Sequence, residues 1–96
     1  MILETAYISI QPGRVDEFLT VLPTALKVVA AADGFLGGQF QRGVERPDTV
    51  LLTLRWRTLE DHTVGFRESD RFTEWRALIS PFFAAPPVVE HWEIAD

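Results

Sequence analysis

The sequence predicts an α+β fold of the ferredoxin-like type, with elements in the order β-α-β-β-α-β and a second helix split into two segments. Three observations predict it. Segments with strand-like alternation occur at four places. Segments with helical spacing of apolar residues lie between the first and second strands and between the third and fourth, and a short loop joins the second and third strands. Strands connected in this order form a four-stranded antiparallel sheet with its helices on one face.

The first strand is predicted at residues 2–10. Both of its faces carry apolar character, one with Ile2, Ala6, Ile8 and Ile10 and the other with Leu3, Thr5, Tyr7 and Ser9. A strand solvated on one side would alternate more cleanly between apolar and polar residues. We therefore expect both faces of the sheet to be covered.

A long helix is predicted from Val15 to about Ala32, after a Pro-Gly turn. Asp16 and Glu17 fall in its first turn, where the helix dipole favours negative charge. Pro23 removes one backbone hydrogen bond and should bend the helix. Because the apolar residues stay in phase on both sides of Pro23, we expect one kinked helix that stops at Asp33-Gly34.

Residues 35–41 and 49–56 are predicted to form a hairpin across the loop G-V-E-R-P-D. Gly37 and Gly38 interrupt the first of these strands. Glycines within a strand indicate either a β-bulge or a close approach of a ligand to the backbone, and the bulge is favoured here.

The second helix is predicted as two short amphipathic segments. The first is capped by Thr58 and has one face formed by Leu59, His62 and Phe66. The second starts at Ser69 or Asp70, and its apolar residues recur at helical spacing as Phe72, Trp75, Ile79 and Phe82. A rigid A-A-P-P exit then leads to a last strand at residues 88–94.

The whole chain, residues 1–96, is predicted to be a single domain. Since helices would cover only one face of the sheet, the other face needs a different cover. That face is predicted to hold Leu3, Tyr7, Leu51 and Trp92. A symmetric second copy is the simplest cover, so we predict a homodimer joined sheet to sheet.

Composition narrows the classes of function. The net charge of −5 and the scattered basic residues argue against nucleic-acid binding. The sequence contains no cysteine, which excludes disulfides and thiolate chemistry. No stretch has the length of a membrane span, and the start lacks the pattern of a signal peptide, so the expected location is the cytoplasm, away from membranes.

No metal or cofactor site is predicted. The histidines are His62 and His91, which lie on different predicted elements. Their spacing does not match a metal-binding motif such as H-x-x-x-H or H-x-H. A site with two histidines and one carboxylate would require the fold to bring both together with a distant glutamate. Nucleotide-binding glycine motifs are also absent from the sequence.

The aromatic residues of the split helix define a candidate site. His62 is a candidate general base, although a histidine hydrogen-bonded to a carboxylate or carbonyl under the helix is the explanation that the residues alone favour. Trp56 and Trp75 could line a pocket for a flat ligand, or could be plain core. Arg76 and Arg67 could meet an anionic group of a ligand, or could pair with nearby acidic residues.

Three stretches resemble the antibiotic biosynthesis monooxygenase family. They are P-G-R-V-D-E-F-L after the first strand, Trp56 followed by R-T-L-E-D-H-T-V-G-F-R-E-S-D-R-F, and the closing P-P-V-V-E-H-W-E. The resemblance implies a ferredoxin-like protomer that forms a dimeric α+β barrel. It also implies oxygenation of a small aromatic or quinol-like substrate by O2, without metal or flavin, once the substrate is deprotonated.

The resemblance also suggests roles for particular residues. Together with the aromatic residues and Arg76 of the split helix, it predicts a cofactor-independent monooxygenase with His62 as the catalytic base and a substrate pocket formed by Trp56, Phe66, Phe72, Trp75 and Arg76. A non-catalytic dimeric small-molecule binding protein of the same fold is the alternative. Haem degradation comes a distant third, because Ala6 and Arg76 stand where the haem-degrading relatives have asparagine and histidine.

Overall fold

The computed structural model describes residues 1–95 and confirms the predicted fold class. Its elements in chain order are β1 (Ile2–Ser9), α1 (Val15–Ala30), β2 (Phe35–Arg42), β3 (Thr49–Trp56), a π-helix (Asp61–Phe66), α2 (Asp70–Ile79), a 3₁₀ turn (Ser80–Phe82) and β4 (Val88–Glu93). The second helix is thus split, as the sequence predicts.

The sheet is antiparallel, with strand order β2-β3-β1-β4. Strand β1 lies inside the sheet and pairs with β3 on one side and with the edge strand β4 on the other. In this register Glu4 is directly opposite Leu54 on β3 and His91 on β4. A carboxylate and an imidazole distant in sequence are therefore cross-strand neighbours.

Helix α1 is continuous through Pro23 and ends at Ala30, two residues earlier than predicted. It turns an apolar stripe towards the inner face of the sheet, where Phe18, Leu22 and Val29 have no solvent exposure. The phase of this stripe is unbroken across the proline, which explains why a missing backbone hydrogen bond does not divide the helix.

The predicted bulge lies at the start of β2. The pairing of β2 with β3 shifts register between Phe35 and Gly37. Gly37 has a φ of +133°, and a Cβ there would lie 2.9 Å from a terminal nitrogen of Arg55. The backbone at this bulge therefore requires glycine, as strand glycines often indicate.

The first segment of the split helix is wound as a π-helix. Its start is fixed by Asp61, which accepts two hydrogen bonds of 3.1 Å from Arg57 and whose backbone N–H donates to the Thr58 hydroxyl. The N–H of Arg67 donates to the carbonyl of His62 five residues earlier, at 3.1 Å. Such wide turns are uncommon and often occur at functional sites.

The outer face of the sheet carries five apolar side chains, here called the outer patch: Tyr7, Val88 and Trp92 are exposed, and Leu3 and Leu51 are half-buried. Tyr7 is 40% exposed and Trp92 is 48% exposed. The Trp92 indole N–H donates to the Thr5 hydroxyl, which fixes the ring across the sheet. Within residues 1–95, no helix has both the length and the apolar character needed to cross a membrane.

We predict that Leu22→Ala lowers the free energy of unfolding by about 2–5 kcal/mol, because it opens a cavity between α1 and the sheet. Urea unfolding followed by circular dichroism measures the change. Leu36→Ala is the matched control, since Leu36 is 50% exposed and its truncation should change stability by less than about 0.5 kcal/mol. Equal losses in both variants would contradict the assigned core.

Candidate functional site

A cavity of about 790 Å³ lies between the sheet and the split helix. Small-molecule sites commonly fall between about 300 and 1,000 Å³. Its sheet wall consists of Ala6, Ile8, Leu52, Leu54 and Val89, and its helical wall includes Phe66, Phe72, Trp75 and Ile79. Arg67 and Arg76, with the segment 83–87, complete the lining. The prediction left open a solid core or a pocket, and the structure has a pocket.

The segment after α2 is held in place by the end of β1. The N–H of Ala84 donates to the Ser9 carbonyl at 2.8 Å, and the N–H of Gln11 donates to the Phe82 carbonyl at 2.9 Å. The proline pair that follows cannot continue a helix and stiffens the chain. These bonds keep the last wall of the cavity at a fixed distance from the sheet.

One buried network of polar residues reaches the cavity wall. The Trp56 indole N–H donates to Glu4 Oε1 at 2.9 Å. The same oxygen lies 3.3 Å from His62 Nε2, and His62 Nδ1 lies 2.8 Å from His91 Nε2. We call Glu4, Trp56, His62 and His91 the buried network. It runs from a carboxyl group on the cavity wall to an imidazole on the edge strand.

Burial controls the protonation of this network. Removal from water raises the pKa of Glu4 from 4.5 to about 7, although the Trp56 hydrogen bond and the Arg67 charge oppose the rise. Burial, followed by the charges of His91 and Arg67, lowers the pKa of His62 from 6.5 to about 4. The pKa of His91 is lowered by burial and by Arg67. Near pH 6 the contact of Glu4 with His62 therefore joins two neutral groups and is not an ion pair.

His62 is positioned by stacking. The residue is 4% exposed, and its ring stacks on Trp56, with ring centroids 5.1 Å apart and planes inclined by 25°. Its two nitrogens face Glu4 and His91. The ring reaches the cavity wall, yet neither nitrogen is left to face a ligand directly.

Most of the predicted pocket residues line the cavity. The structure places His62, Phe66, Phe72, Trp75 and Arg76 on its wall. Trp56 is the exception: it is fully buried, its indole is covered by Phe35, His62 and Phe66, and it does not line the cavity. It therefore supports the wall from behind. The binding and catalytic roles of the wall residues stay predictions.

The sequence prediction missed Glu4 as a site residue. A signal was present, since Glu4 has the same strand parity as Ile2, Ala6 and Ile8. A carboxylate at that parity must point to the buried face of β1, where it requires partners. From the sequence, His91 was considered only as a metal ligand. Its position opposite Glu4 depends on the pairing register of β1 and β4, which cannot be derived from the sequence.

The fold does bring two histidines and a distant glutamate together, but in a linear arrangement. His62 contacts Glu4 through one nitrogen and His91 through the other, so the three groups do not converge on one point. Among residues 1–95, no group of three or more potential ligands is arranged to hold a metal ion. The geometry is suited to passing a proton along the row.

Two cations lie at the cavity without an acidic partner. In the part of the chain that the structure describes, neither Arg67 nor Arg76 has a carboxylate within 4 Å, so the considered pairing with nearby acidic residues is not formed. The Arg76 guanidinium lies 5.8 Å from the centre of the Phe72 ring. Both side chains are exposed and can approach a ligand at the cavity.

Comparison with known proteins identifies the family. The family model for antibiotic biosynthesis monooxygenases matches residues 1–78. The chain belongs to this family. The match includes β1, the π-helix and most of α2, and with them most of the cavity wall.

Relatives extend the likeness along the chain. The uncharacterized protein YczJ of Bacillus subtilis (strain 168) is 34% identical over 93 residues, which span 97% of this chain and 98% of YczJ. A crystal structure of a candidate antibiotic biosynthesis monooxygenase from Bordetella bronchiseptica is similar with a TM-score of 0.94 and 37% identity, covering 98% of this chain and 96% of that protein.

A more distant likeness concerns the fold alone. SnoaB of Streptomyces nogalater, a cofactor-independent oxygenase, superimposes with a TM-score of 0.82 over 99% of this chain and 93% of its own. The identity is only 10%. This protein, a member of the antibiotic biosynthesis monooxygenase family, thus shares its fold with SnoaB, although the two differ in sequence at most positions.

The opposite pKa shifts in the buried network predict a pH effect on stability. Native Glu4 keeps its proton between pH 4.5 and about 7, where the unfolded state has lost it, so its contribution to stability falls as pH rises through that range. Native His62 lacks the proton that the unfolded state holds between about pH 4 and 6.5, so its contribution falls as pH drops through that range. The two effects oppose each other where the ranges overlap.

Glu4→Gln removes the first effect and leaves the second. We expect the variant to lose stability on acidification from pH 7 to 5 more steeply than the wild type, and to gain relative to it at pH 8. Urea unfolding at pH 5, 6.5 and 8 measures this. Glu74→Gln, at an exposed position of α2 outside both the cavity wall and the outer patch, should follow the wild-type curve. Parallel curves for Glu4→Gln and wild type would contradict the assigned protonation.

Proposed function

We propose that this protein is a cofactor-independent monooxygenase that oxygenates a small aromatic or quinol-like substrate in the cavity. One observation carries the proposal: an otherwise largely apolar cavity of about 790 Å³ has a buried, ionisable carboxyl–imidazole pair in its wall. Perturbed ionisable groups in a cleft are typical of functional sites. Membership of the antibiotic biosynthesis monooxygenase family supports the same conclusion.

The walls of the cavity suit a flat substrate. Phe66 and Phe72 meet edge to face, with ring centroids 5.6 Å apart, and Trp75 lies on the same helical wall. Aromatic surfaces bind planar rings through burial and offset stacking. Arg76 lies at this wall and can contact a polar or anionic substituent, while the apolar sheet wall keeps water from the ring.

The reaction needs a base and O2 as the oxidant. The pair of Glu4 and His62, the predicted base, accepts a proton from the substrate and leaves an anion. The anion transfers electrons to O2, and a C–O bond forms to give a peroxide, which takes up a proton. When the O–O bond breaks, the hydrogen on the same carbon is lost with the distal oxygen as water. A CH₂ group thus becomes C=O, with one atom of O2 in the product and the other in water.

We predict that the wild type consumes O2 with an anthrone and that Phe72→Ala lowers kcat/KM at least tenfold, about 1.4 kcal/mol of transition-state binding, by removing an aromatic wall. An oxygen electrode and mass spectrometry with ¹⁸O2 measure rate and incorporation. Phe40→Ala is the matched control, because Phe40 is also half-buried but does not line the cavity. No rate above buffer with any anthrone or quinol tested would overturn the proposal.

A binding protein of the same fold is the second candidate. It is favoured by the engagement of both His62 nitrogens and by its pKa of about 4, which make the ring a poor direct acceptor of a substrate proton. Aromatic ligands that raise the melting temperature without O2 consumption would support this candidate. Turnover that Phe72→Ala reduces would exclude it.

We further propose that the protein is a homodimer joined through the outer patch. The exposed fractions of Tyr7, Val88 and Trp92 support this, because apolar side chains gathered on one sheet face are characteristic of an interface. A two-fold axis through the sheet would bring the same patch of a second copy onto it.

Tyr7→Glu is expected to convert the dimer to a monomer, because it places like charges together in the buried interface. Size-exclusion chromatography with light scattering measures the mass. Val64→Glu is the control, since Val64 is 52% exposed on the π-helix, away from the sheet. A monomeric wild type, or a Tyr7→Glu variant that stays dimeric, would contradict the assignment of this interface.

A further inference from the structure

Three groups of the buried network form a row from the cavity to the edge of the sheet. Glu4 lies on the cavity wall and is 6% exposed, His62 follows at 3.3 Å, and His91 follows at 2.8 Å. His91 is half-buried on β4, the edge strand. Water can therefore reach the far end of the row without entering the cavity.

We propose that Glu4 accepts the substrate proton and that His62 and His91 conduct it to solvent. This assignment rests on the proposed monooxygenase function and adds to it the residue that touches the substrate and the route of the proton. It gives Glu4 a catalytic role and makes His62 and His91 relay residues.

The geometry of Glu4 supports its role as acceptor. Its Oε1 is occupied by the Trp56 N–H and faces His62. Within residues 1–95 its second oxygen, Oε2, receives no hydrogen bond. Every fully buried side-chain oxygen or nitrogen in these residues has a hydrogen-bond partner, so Oε2 is not fully buried. Oε2 is thus the atom that a substrate hydroxyl in the cavity can reach.

The geometry of His62 supports conduction rather than direct attack. After Oε2 has taken the substrate proton, rotation of the carboxylic acid group exchanges its two oxygens and turns the O–H towards His62 Nε2. In the tautomer of His62 that carries hydrogen on Nδ1, transfer of this proton to Nε2 lets the Nδ1 proton pass to His91 Nε2. His91 then releases its other ring proton to water. The row returns to its first state when each ring regains its starting tautomer. No group in the row is oxidised or reduced. The proton that the peroxide takes up later can travel the same row in reverse.

The charges around Glu4 are compatible with this role. The titratable or charged groups that face it are His62 and Arg67 from the π-helix and its end, and His91 from β4. Burial brings the pKa of Glu4 to about 7, close to the value at which a general base works best at neutral pH. Arg67 limits the rise, because its cation favours the carboxylate.

The relay is tested first without substrate. Indole and imidazole ¹⁵N NMR of the full-length protein between pH 5 and 9 should show Trp56, His62 and His91 responding to one common titration near pH 7. Glu4→Gln should abolish it, while Glu74→Gln on α2 should leave it unchanged. The glutamine keeps an oxygen for Trp56, so the fold is expected to persist, and circular dichroism verifies this. Retention of the common titration in Glu4→Gln overturns the proposal.

Turnover supplies the second test. His91→Gln should lower kcat at least tenfold in dilute non-proton-carrying buffer without changing KM, and added imidazole should restore it. Glu4→Gln should lose at least a hundredfold, with no recovery on adding imidazole. A merely structural role of His91 would not respond to imidazole. Wild-type kcat in His91→Gln, or a defect that imidazole leaves unchanged, overturns the relay.

The two tests separate the relay from the proposed function. If the wild type oxygenates no substrate, the proposed function fails and the NMR titration alone decides whether Glu4, His62 and His91 form one protonation unit. If the wild type is active and the common titration is absent, the relay fails and the monooxygenase stands.

Discussion

The hydrogen bond from the Trp56 indole to Glu4 connects the parts of the molecule on which the site depends. Trp56 ends β3, Glu4 lies on β1, and the indole also packs against Phe66 of the π-helix. The bond lies in the interior, where an unpaired carboxyl group would be costly. Strand β3 and the π-helix are thereby fixed around one buried carboxyl group, and its position sets the position of His62.

The cavity follows from how the second helix is interrupted. A continuous helix over the same sheet would bring its apolar stripe against β1 and fill the space. The π-helix instead ends at Phe66, α2 starts only at Asp70, and residues 83–87 form the remaining wall. The apolar wall residues therefore forgo part of the burial that a solid core would give. A ligand with aromatic rings would recover it.

The sequence was sufficient for the elements but not for the chemistry between them. Strand parity, the helical phase across Pro23 and the Gly37 bulge are local patterns, and each was predicted correctly. The bond between Glu4 and Trp56 joins residues 52 positions apart, and His62 and His91 are 29 apart. Such contacts depend on the register of β1 with both neighbours and on a π-turn, neither of which has a local sequence signal. Trp56 was assigned to the cavity wall for the same reason.

The same desolvation that prepares Glu4 as a base would also act on the substrate. An apolar cavity raises the pKa of a phenol or enol as it raises that of a carboxyl group, since both lose water around their anions. If the pKa of the substrate rose as much as the pKa of Glu4, proton transfer from the substrate to Glu4 would become no more favourable. The cation of Arg76 at the cavity would resolve this, because a positive charge near the substrate oxygen lowers the pKa of the substrate, whereas the charge that lowers the pKa of Glu4 is that of Arg67. Proton transfer from substrate to Glu4 thus depends on a cation that stabilises the substrate anion more than it stabilises the Glu4 carboxylate.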